Sequence, residues 1–327
     1  MVMVNFQLDE IQAMLKELAH DFAVEEIRPK AEHWDATSTY PKETIIAAHE
    51  MGLLNLHIPE ASVVAVLGAM DEVIVTVPDT RLETHPLINT DPEIRVRHAR
   101  GQSLPDWLDM HSGNVDTFPD GVALPKSSEE VRELLDYASR KNLTVIPYGG
   151  GTSVVGHINP EQSETPVLTI DMGRMNSMLN IDIESQLATF GAGTTGPIVE
   201  KELKKHGYTL GHFPQSWELS TLGGWVASRS SGQQSLHYGR IENMFAGGKI
   251  ETLKGTLDIP TIPASSAGPD IREIILGSEG RMGIITEVTI RITPLPEEEK
   301  FQVIFFPSWD VGIGVARELI QQRVALS

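Results

Sequence analysis

Leu143-Thr144-Val145-Ile146-Pro147-Tyr148-Gly149-Gly150-Gly151-Thr152-Ser153 is the stretch that decides how this chain folds. Its apolar first half has the pattern of a buried strand. The strand runs directly into three consecutive glycines, which can take positive φ and put no Cβ in the way of a ligand. Successive N–H groups in such a turn form a concave nest suited to a pyrophosphate, and Thr152 and Ser153 add hydroxyl donors. A plain tight turn needs one or two glycines, not three followed by two hydroxyls. Pro147 to Ser153 therefore points to a nucleotide site.

Working upstream, Ser127 with Glu130 three residues on offers a capping box. Val131, Leu134, Leu135 and Ala138 then share the buried face of a helix. Gly121 to Leu124 reads as a strand before it. Strand, helix, strand and glycine loop make a βαβ unit that ends in a phosphate nest. Downstream, strands over 167–170 and 187–190, a helix over 198–206 and later strands through Ile290 continue the mixed pattern.

Three other glycine-rich stretches follow. Gly191-Ala192-Gly193-Thr194-Thr195-Gly196 matches GxGxxG between a strand and a helix. An NAD-type fold also needs an acid at the end of the next strand to hold the ribose. Here Tyr208 to Gly211 leads into His212-Phe213-Pro214-Gln215, so a plain strand-to-helix turn is expected. Gln215-Ser216-Trp217-Glu218-Leu219-Ser220-Thr221-Leu222-Gly223-Gly224-Trp225, with Ser228-Arg229-Ser230-Ser231-Gly232 after it, sets dense hydroxyls beside paired glycines. That composition suits a second wall around a diphosphate, although alone it reads equally well as a loop. Gly277-Ser278-Glu279-Gly280-Arg281-Met282-Gly283 precedes the strand Ile284-Ile285-Thr286-Glu287-Val288, whose edge could pair with an adenine rim. By itself it is a helix-to-strand turn. Asp270 is expected to cap the short helix before it.

The chain has 327 residues, enough for about two domains. A net charge of −19 argues against nucleic acid and anionic membrane surfaces as partners. It does not argue against an anionic cofactor, which backbone N–H groups can hold. With no cysteine, disulfides, thiol catalysis and thiolate metal sites are excluded. No apolar run approaches a membrane span, and the early acids Asp9 and Glu10 are unlike a basic transit peptide. The expectation is a cytoplasmic protein acting on a small molecule. His57, His206, His212 and His237 are acid–base candidates by residue type only and are expected to be structural. Their spacing suggests no metal.

At the N-terminus Ile11, Met14, Leu15, Leu18 and Phe22 fall on one helical face, and Pro29 is expected to end or bend that helix. A second helix is expected after Pro41, with Gly52 as its stop. Trp34-Asp35, Tyr40-Pro41 and Met51-Gly52-Leu53-Leu54-Asn55-Leu56-His57-Ile58-Pro59-Glu60 resemble the opening helices of an acyl-CoA dehydrogenase. The likeness breaks at Ala61-Ser62-Val63-Val64 and brings no catalytic residue, so residues 1–60 read as a helical appendage. Residues 61–116 read as a connecting segment with one strand, Val73 to Val77, and then a loop punctuated by Pro78, Pro86 and Pro92.

The glycine-rich loops, in this order over Val115 to Arg323, resemble the FAD-linked oxidase family of the vanillyl-alcohol-oxidase or cresol-methylhydroxylase type. Within it they are most like the alkyldihydroxyacetonephosphate synthases and their bacterial relatives. Ile170-Asp171-Met172-Gly173-Arg174-Met175-Asn176, Tyr238-Gly239-Arg240-Ile241-Glu242 and Gly268-Pro269-Asp270-Ile271 support the likeness. The resemblance implies an α+β fold whose two subdomains hold FAD between them, over 117–297. Pro147 to Ser153 would be its pyrophosphate loop. Gln215 to Thr221 and Ser228 to Ser231 would be second and third contacts, and Gly277 to Gly283 with Ile285 would close around the adenosine half.

Some relatives tether the flavin through a histidine where this chain has Thr152, which implies non-covalent FAD. His157 stands where the family usually has glycine. Residues 298–327 would begin a C-terminal cap, with Phe301 to Ser327 as its first strand and helix. Because that cap carries the family's catalytic side chains, no catalytic residue is assigned. An uncovered cap-facing surface implies a homodimer or another partner. The implied activity is FAD-dependent oxidation of a 2-hydroxy acid or an alkyl- or acyl-dihydroxyacetone-phosphate-like compound. The competing expectations are an acyl-CoA dehydrogenase-type flavoenzyme and a non-catalytic flavin-binding or chimeric product.

Overall fold

Helix α1 (Glu10–Phe22) forms where the apolar spacing places it. Phe22 is buried, but Met14, expected on the same face, is 61% exposed. Pro29 does not end the helix. Ala23–Ile27 form a π-turn, and residues 28–30 are helical again. A proline removes one ladder donor and crowds the carbonyl four residues back. The wider turn just before it, in which the Arg28 N–H reaches back to the Ala23 carbonyl, takes up that misfit. This helix belongs to the first of two units, Met1–Glu72; the second is Val73–Ser327. The computed structural model describes residues 10–30, 33, 43–44, 47–48, 51, 75–263, 266–299, 303–322 and 324. Of the second expected helix, 43–44 and 47–48 are helical. Its stop at Gly52 and the break after Glu60 lie outside the described residues.

In the second unit, Val75 to Val77 join no sheet. Pro78 follows directly and offers no ladder donor; Val75 and Val77 instead pack on Ala99, Val115 and Phe118. The connecting segment holds more structure than its prolines suggest: β1 (Ile88–Asn89), α2 (Pro92–Arg97) and α3 (Leu104–Ser112). Pro92 sits in the first turn of α2, where its missing N–H costs nothing. Ser103 and Asp106 form a reciprocal capping box for α3.

The first subdomain continues with β2 (Gly121–Ala123), α4 (Ser128–Lys141), β3 (Thr144–Tyr148) and β4 (Val167–Asp171). The sheet order is β1-β2-β4-β3, with β2 and β3 parallel to β4 and β1 antiparallel to β2. Helix α4 is the βα-crossover and buries Val131, Leu134, Leu135, Tyr137 and Ala138. Only half of its expected capping box forms. Ser127 Oγ accepts from the Glu130 N–H, but the Glu130 carboxylate accepts from the Lys126 N–H at 2.6 Å rather than from Ser127. Asp120 ties the subdomain together by accepting from the Arg81 guanidinium at 2.7 and 2.8 Å and from the Val167 N–H at 2.7 Å. Burial pushes the Asp120 carboxyl up, but these donors outweigh it and hold the group below its ordinary value.

The second subdomain contains β5 (Met178–Asp182), β6 (Leu187–Gly191), α5 (Gly196–Lys204), β7 (Tyr208–Thr209), α6 (Leu222–Ser228), β8 (Phe245–Thr252), β9 (Gly255–Ile259), α7 (Ile271–Ile275), β10 (Ile284–Arg291) and β11 (Thr293–Pro294). Five of its strands form an antiparallel sheet in the order β5-β6-β10-β8-β9, and β7 pairs with β11. Phe190, Leu203, Leu222, Trp225, Phe245 and Val288 share its core. Asp270 caps α7 as expected. Beyond the sheet, α8 (Trp309–Gln321) buries none of its residues. Residues 303–306, expected in the first strand of a cap, pair with no strand among the described residues, and Phe305 and Trp309 are 90% and 80% exposed.

Candidate functional site

Strand β3 ends at Tyr148 and delivers the glycine loop into a cleft between the two sheets. The cleft encloses about 1060 Å³, its solvent-open mouth included. All of Pro147 to Ser153 line it. The facing wall comes from Ser216, Ser220 and Thr221, from Ser228, Ser230 and Ser231 around the end of α6, and from Glu279, Gly280, Gly283 and Ile285 ahead of and within β10. The three loops singled out in the sequence thus meet around one cavity.

The glycines work differently from expectation. Only Gly151 has a positive φ, 68°. A Cβ on Gly150 would run into the backbone of the facing wall, 2.7 Å from the Leu219 carbonyl carbon and 3.0 Å from Ser220 Cα. One on Gly149 would press on the Thr221 hydroxyl. The missing side chains let the loop lie against the backbone of its opposite wall, and that contact shapes the cradle. The result still suits an anion. Among the described residues, the N–H groups of Gly150, Gly151, Thr152 and Ser153 donate to no protein acceptor. Four adjacent free donors at a cavity wall are what a diphosphate needs. Tyr148 lies beside them, its phenol pushed up to about 12 by burial and by the carboxylates of Asp171 and Asp106. It remains a neutral O–H at physiological pH.

The loop is braced from behind. The Gly151 carbonyl accepts from the Gln102 N–H at 2.6 Å. The Gly101 N–H donates to Asn159 Oδ1 at 3.0 Å, and Asn159 Nδ2 donates to Asp106 at 2.6 Å. The capping box of α3 is therefore also tied to the segment that braces the glycine loop. Across the cleft, His157 Nδ1 lies 3.1 Å from Ser153 Oγ and 3.8 Å from the Glu279 carboxylate, linking two of the three loops. Among the described residues, no lysine or arginine lines the cleft, so the donors available there to an anion are mainly backbone and hydroxyl groups.

Some expected contacts fall elsewhere. Gln215, Trp217, Glu218 and Leu219 line a neighbouring recess that shares Pro214 and Ser216 with the cleft. Arg229 takes a left-handed φ of 54° as the C-cap of α6 and pairs with Glu273. Gly277, Ser278, Arg281 and Met282 shape the turn without lining the cleft. Strand β10 is not a free edge: it is paired on both sides, and only Ile284 and Ile285 run past the Thr286 carbonyl that accepts from Ala192. Gly191 to Gly196 is a strand-to-helix turn, as read. Cβ atoms on Gly191 and Gly193 would strike the Met175 and Met172 carbonyls, so these glycines serve packing, yet Ala192 between them lines the cleft. Met172 lines it without having been picked out as a contact, and Gly223 and Trp225, in the second glycine-rich stretch but outside its implied contacts Gln215 to Thr221, line it as well. Among the histidines, His206 and His237 are exposed, His57 is outside the described residues, and His212 is buried behind Ser230. Among the described residues, no group of three or more metal-ligating side chains occurs, and no helix is long and apolar enough to cross a membrane.

Residues 119–258 match the family described as FAD binding domain, and residues 9–77 match the acyl-CoA dehydrogenase N-terminal domain. Alkyldihydroxyacetonephosphate synthase of Dictyostelium discoideum is 39% identical over 237 residues, covering 72% of this chain and 39% of that one. The mitochondrial D-lactate dehydrogenase [cytochrome] of Arabidopsis thaliana is 29% identical over 242 residues, covering 73% and 41%. A solved alkyldihydroxyacetonephosphate synthase superposes with a TM-score of 0.70 at 35% identity, covering 76% of this chain and 48% of that one. The chain thus spans about two fifths of the length of these curated relatives. With four unclaimed N–H donors and glycines that leave the cradle open, the cleft fits a diphosphate, and the chain carries an FAD-binding domain like that of the alkyldihydroxyacetonephosphate synthases.

Proposed function

We propose that this chain binds FAD non-covalently in the cleft and serves as an FAD-dependent oxidoreductase of a 2-hydroxy acid or an alkyl- or acyl-dihydroxyacetone-phosphate-like compound. The observation that carries the reading is the row of free N–H groups from Gly150 to Ser153 facing the hydroxyl-rich wall of Ser220, Thr221 and Ser230. FAD, when bound, supplies the electron acceptor. The chain's own part is to seat the diphosphate on those N–H groups, to wall the adenosine half with Gly280, Gly283 and Ile285, and to exclude water from that wall. Thr152 at the tethering position and the lack of cysteine support a non-covalent flavin. The substrate classes are supported by the names of the synthase and dehydrogenase relatives.

The test is an absorbance spectrum of the purified chain before and after acid precipitation. A flavin band that moves to the supernatant is the expected result. A band kept in the pellet would mean a covalent tether, and a colourless, folded protein that takes up no added FAD would overturn the assignment. The match over residues 9–77 favours a second reading, an acyl-CoA dehydrogenase-type flavoenzyme. Anaerobic bleaching of the flavin by an acyl-CoA rather than by a hydroxy acid would select it.

A further inference from the structure

His212 is one of the most enclosed polar side chains of the second subdomain, 1% exposed. It packs edge-on to Trp225, with ring centroids 4.9 Å apart. Its Nε2 lies 2.7 Å from Ser230 Oγ, and its Nδ1 has no hydrogen-bond partner. Burial alone pushes its pKa down to about 4, with no neighbouring charge contributing, so the ring is neutral at physiological pH. A neutral imidazole has one N–H and one lone pair, and two arrangements are open. If Nδ1 carries the proton, a buried donor goes unpaired and Ser230 spends its own hydrogen on Nε2. If Nε2 carries it, the orphan is only a lone pair, the milder of the two defects. In that second arrangement Ser230 Oγ accepts from the imidazole, and its hydroxyl hydrogen is left to point elsewhere. Ser230 lines the cleft, and among the described residues its hydroxyl has no hydrogen-bond partner besides His212.

We propose that His212 is a positioning residue: as the Nε2–H tautomer it fixes Ser230 as a hydrogen-bond donor into the cleft, aimed at an acceptor atom of the bound dinucleotide. The consequence is directional. The hydrogen of Ser230 is not spent on His212 and stays available to a ligand acceptor, and this donor role does not change across the neutral pH range. The segments that carry the pair are held in register independently of it, since the Gln233 N–H donates to the Phe213 carbonyl at 2.9 Å and the Ser230 N–H to the Trp225 carbonyl at 3.0 Å.

The proposal rests on the FAD reading, and the experiment separates the two. Nitrogen-15 NMR of the histidine side chains in the folded chain, with His212 assigned by its loss in His212→Gln, reports the tautomer without any ligand. FAD titration then compares wild type, Ser230→Ala, His212→Leu, His212→Gln and the double variant Ser230→Ala/His212→Leu. Expected are an Nε2–H tautomer, a roughly tenfold weaker FAD affinity for Ser230→Ala, a loss of similar direction for His212→Leu, and rescue by His212→Gln, whose amide can donate from the Nε2 position. In the double variant His212→Leu should add nothing to Ser230→Ala. An Nδ1–H tautomer overturns the proposal, and so does full additivity of the two losses. If His212→Leu does not fold, the tautomer and the His212→Gln variant still decide it. Failure of wild type to bind FAD at all, with the Nε2–H tautomer present, refutes the cofactor assignment instead.

Discussion

Gly150→Ala is the sharpest probe of how the cradle is built. The added Cβ would sit 2.7 Å from the Leu219 carbonyl carbon and closer still to its oxygen. Carbon atoms in contact rest at about 3.5–4.0 Å, so the loop and the opposite wall must part by roughly 1 Å. No rotamer change can relieve this, because the obstacle is backbone. Overpacking of this kind costs about 1–3 kcal/mol, or on the order of 3–10 °C in the apoprotein's Tm for a unit of this size. The same displacement stretches hydrogen bonds from the Gly150–Ser153 N–H groups beyond useful length. A lost bond to a charged phosphate is worth about 1.5–3 kcal/mol, so FAD affinity should fall by about 10- to 100-fold. The assay pairs thermal unfolding of the apoprotein with FAD titration. Gly314→Ala in α8 is the control, since its Cβ meets nothing within 4 Å. A Gly150→Ala protein with wild-type Tm and wild-type affinity would refute the close approach. A protein that lost affinity but kept its apo stability would mean that the side chain enters the cleft after all.

Two further outcomes follow from buried charge. His212 has a folded pKa depressed to about 4 against about 6.5 unfolded, so the stability gained by keeping it neutral is complete above pH 6.5 and drains away as pH falls toward 4, about 3 kcal/mol in all. Urea denaturation at pH 7 and pH 4.5 should show a smaller decline for His212→Gln than for wild type, and equal declines would contradict the burial argument. Asp120→Ala strips the Arg81 guanidinium and the buried Val167 N–H of their acceptor and should cost about 2–3 kcal/mol; a change under 0.5 kcal/mol in the same assay would show that water replaces the carboxylate.

Much of this site was legible because loop chemistry is local. Three glycines and two hydroxyls after a strand mark an open, donor-rich loop without reference to anything distant, and that loop lines the cleft; α4 and its buried face follow from spacing alone. What stayed hidden depends on partners far along the chain. Ala192 reaches the cleft only because β6 pairs with β10 nearly a hundred residues later. The interior position of β10 could not be read from its own residues, since an apolar strand looks alike at an edge and in the middle. The helices α2 and α3 were obscured by prolines that act as helix starters rather than breakers, although Ser103 with Asp106 carried a usable signal. Of the strand expected at Val73 to Val77, the described residues 75–77 join no sheet: an apolar run gives a strand only where a neighbour completes the ladder, and Pro78 directly after it offers no donor for one.

On the proposed reading, a chain with a net charge of −19 holds a dianionic group in a cleft where, among the described residues, no lysine or arginine lines the wall. Long cationic side chains must be ordered and desolvated before they bind. Backbone donors are ordered by the fold itself. The cost of presenting Gly150–Ser153 is met when the glycine loop packs on Leu219–Ser220, and the Asn159–Asp106 brace holds it there. Packing and binding are therefore one device rather than two. A glycine at such a loop is required by the wall it packs on as much as by a ligand, so a substitution there acts on the empty protein first and on cofactor affinity as its consequence.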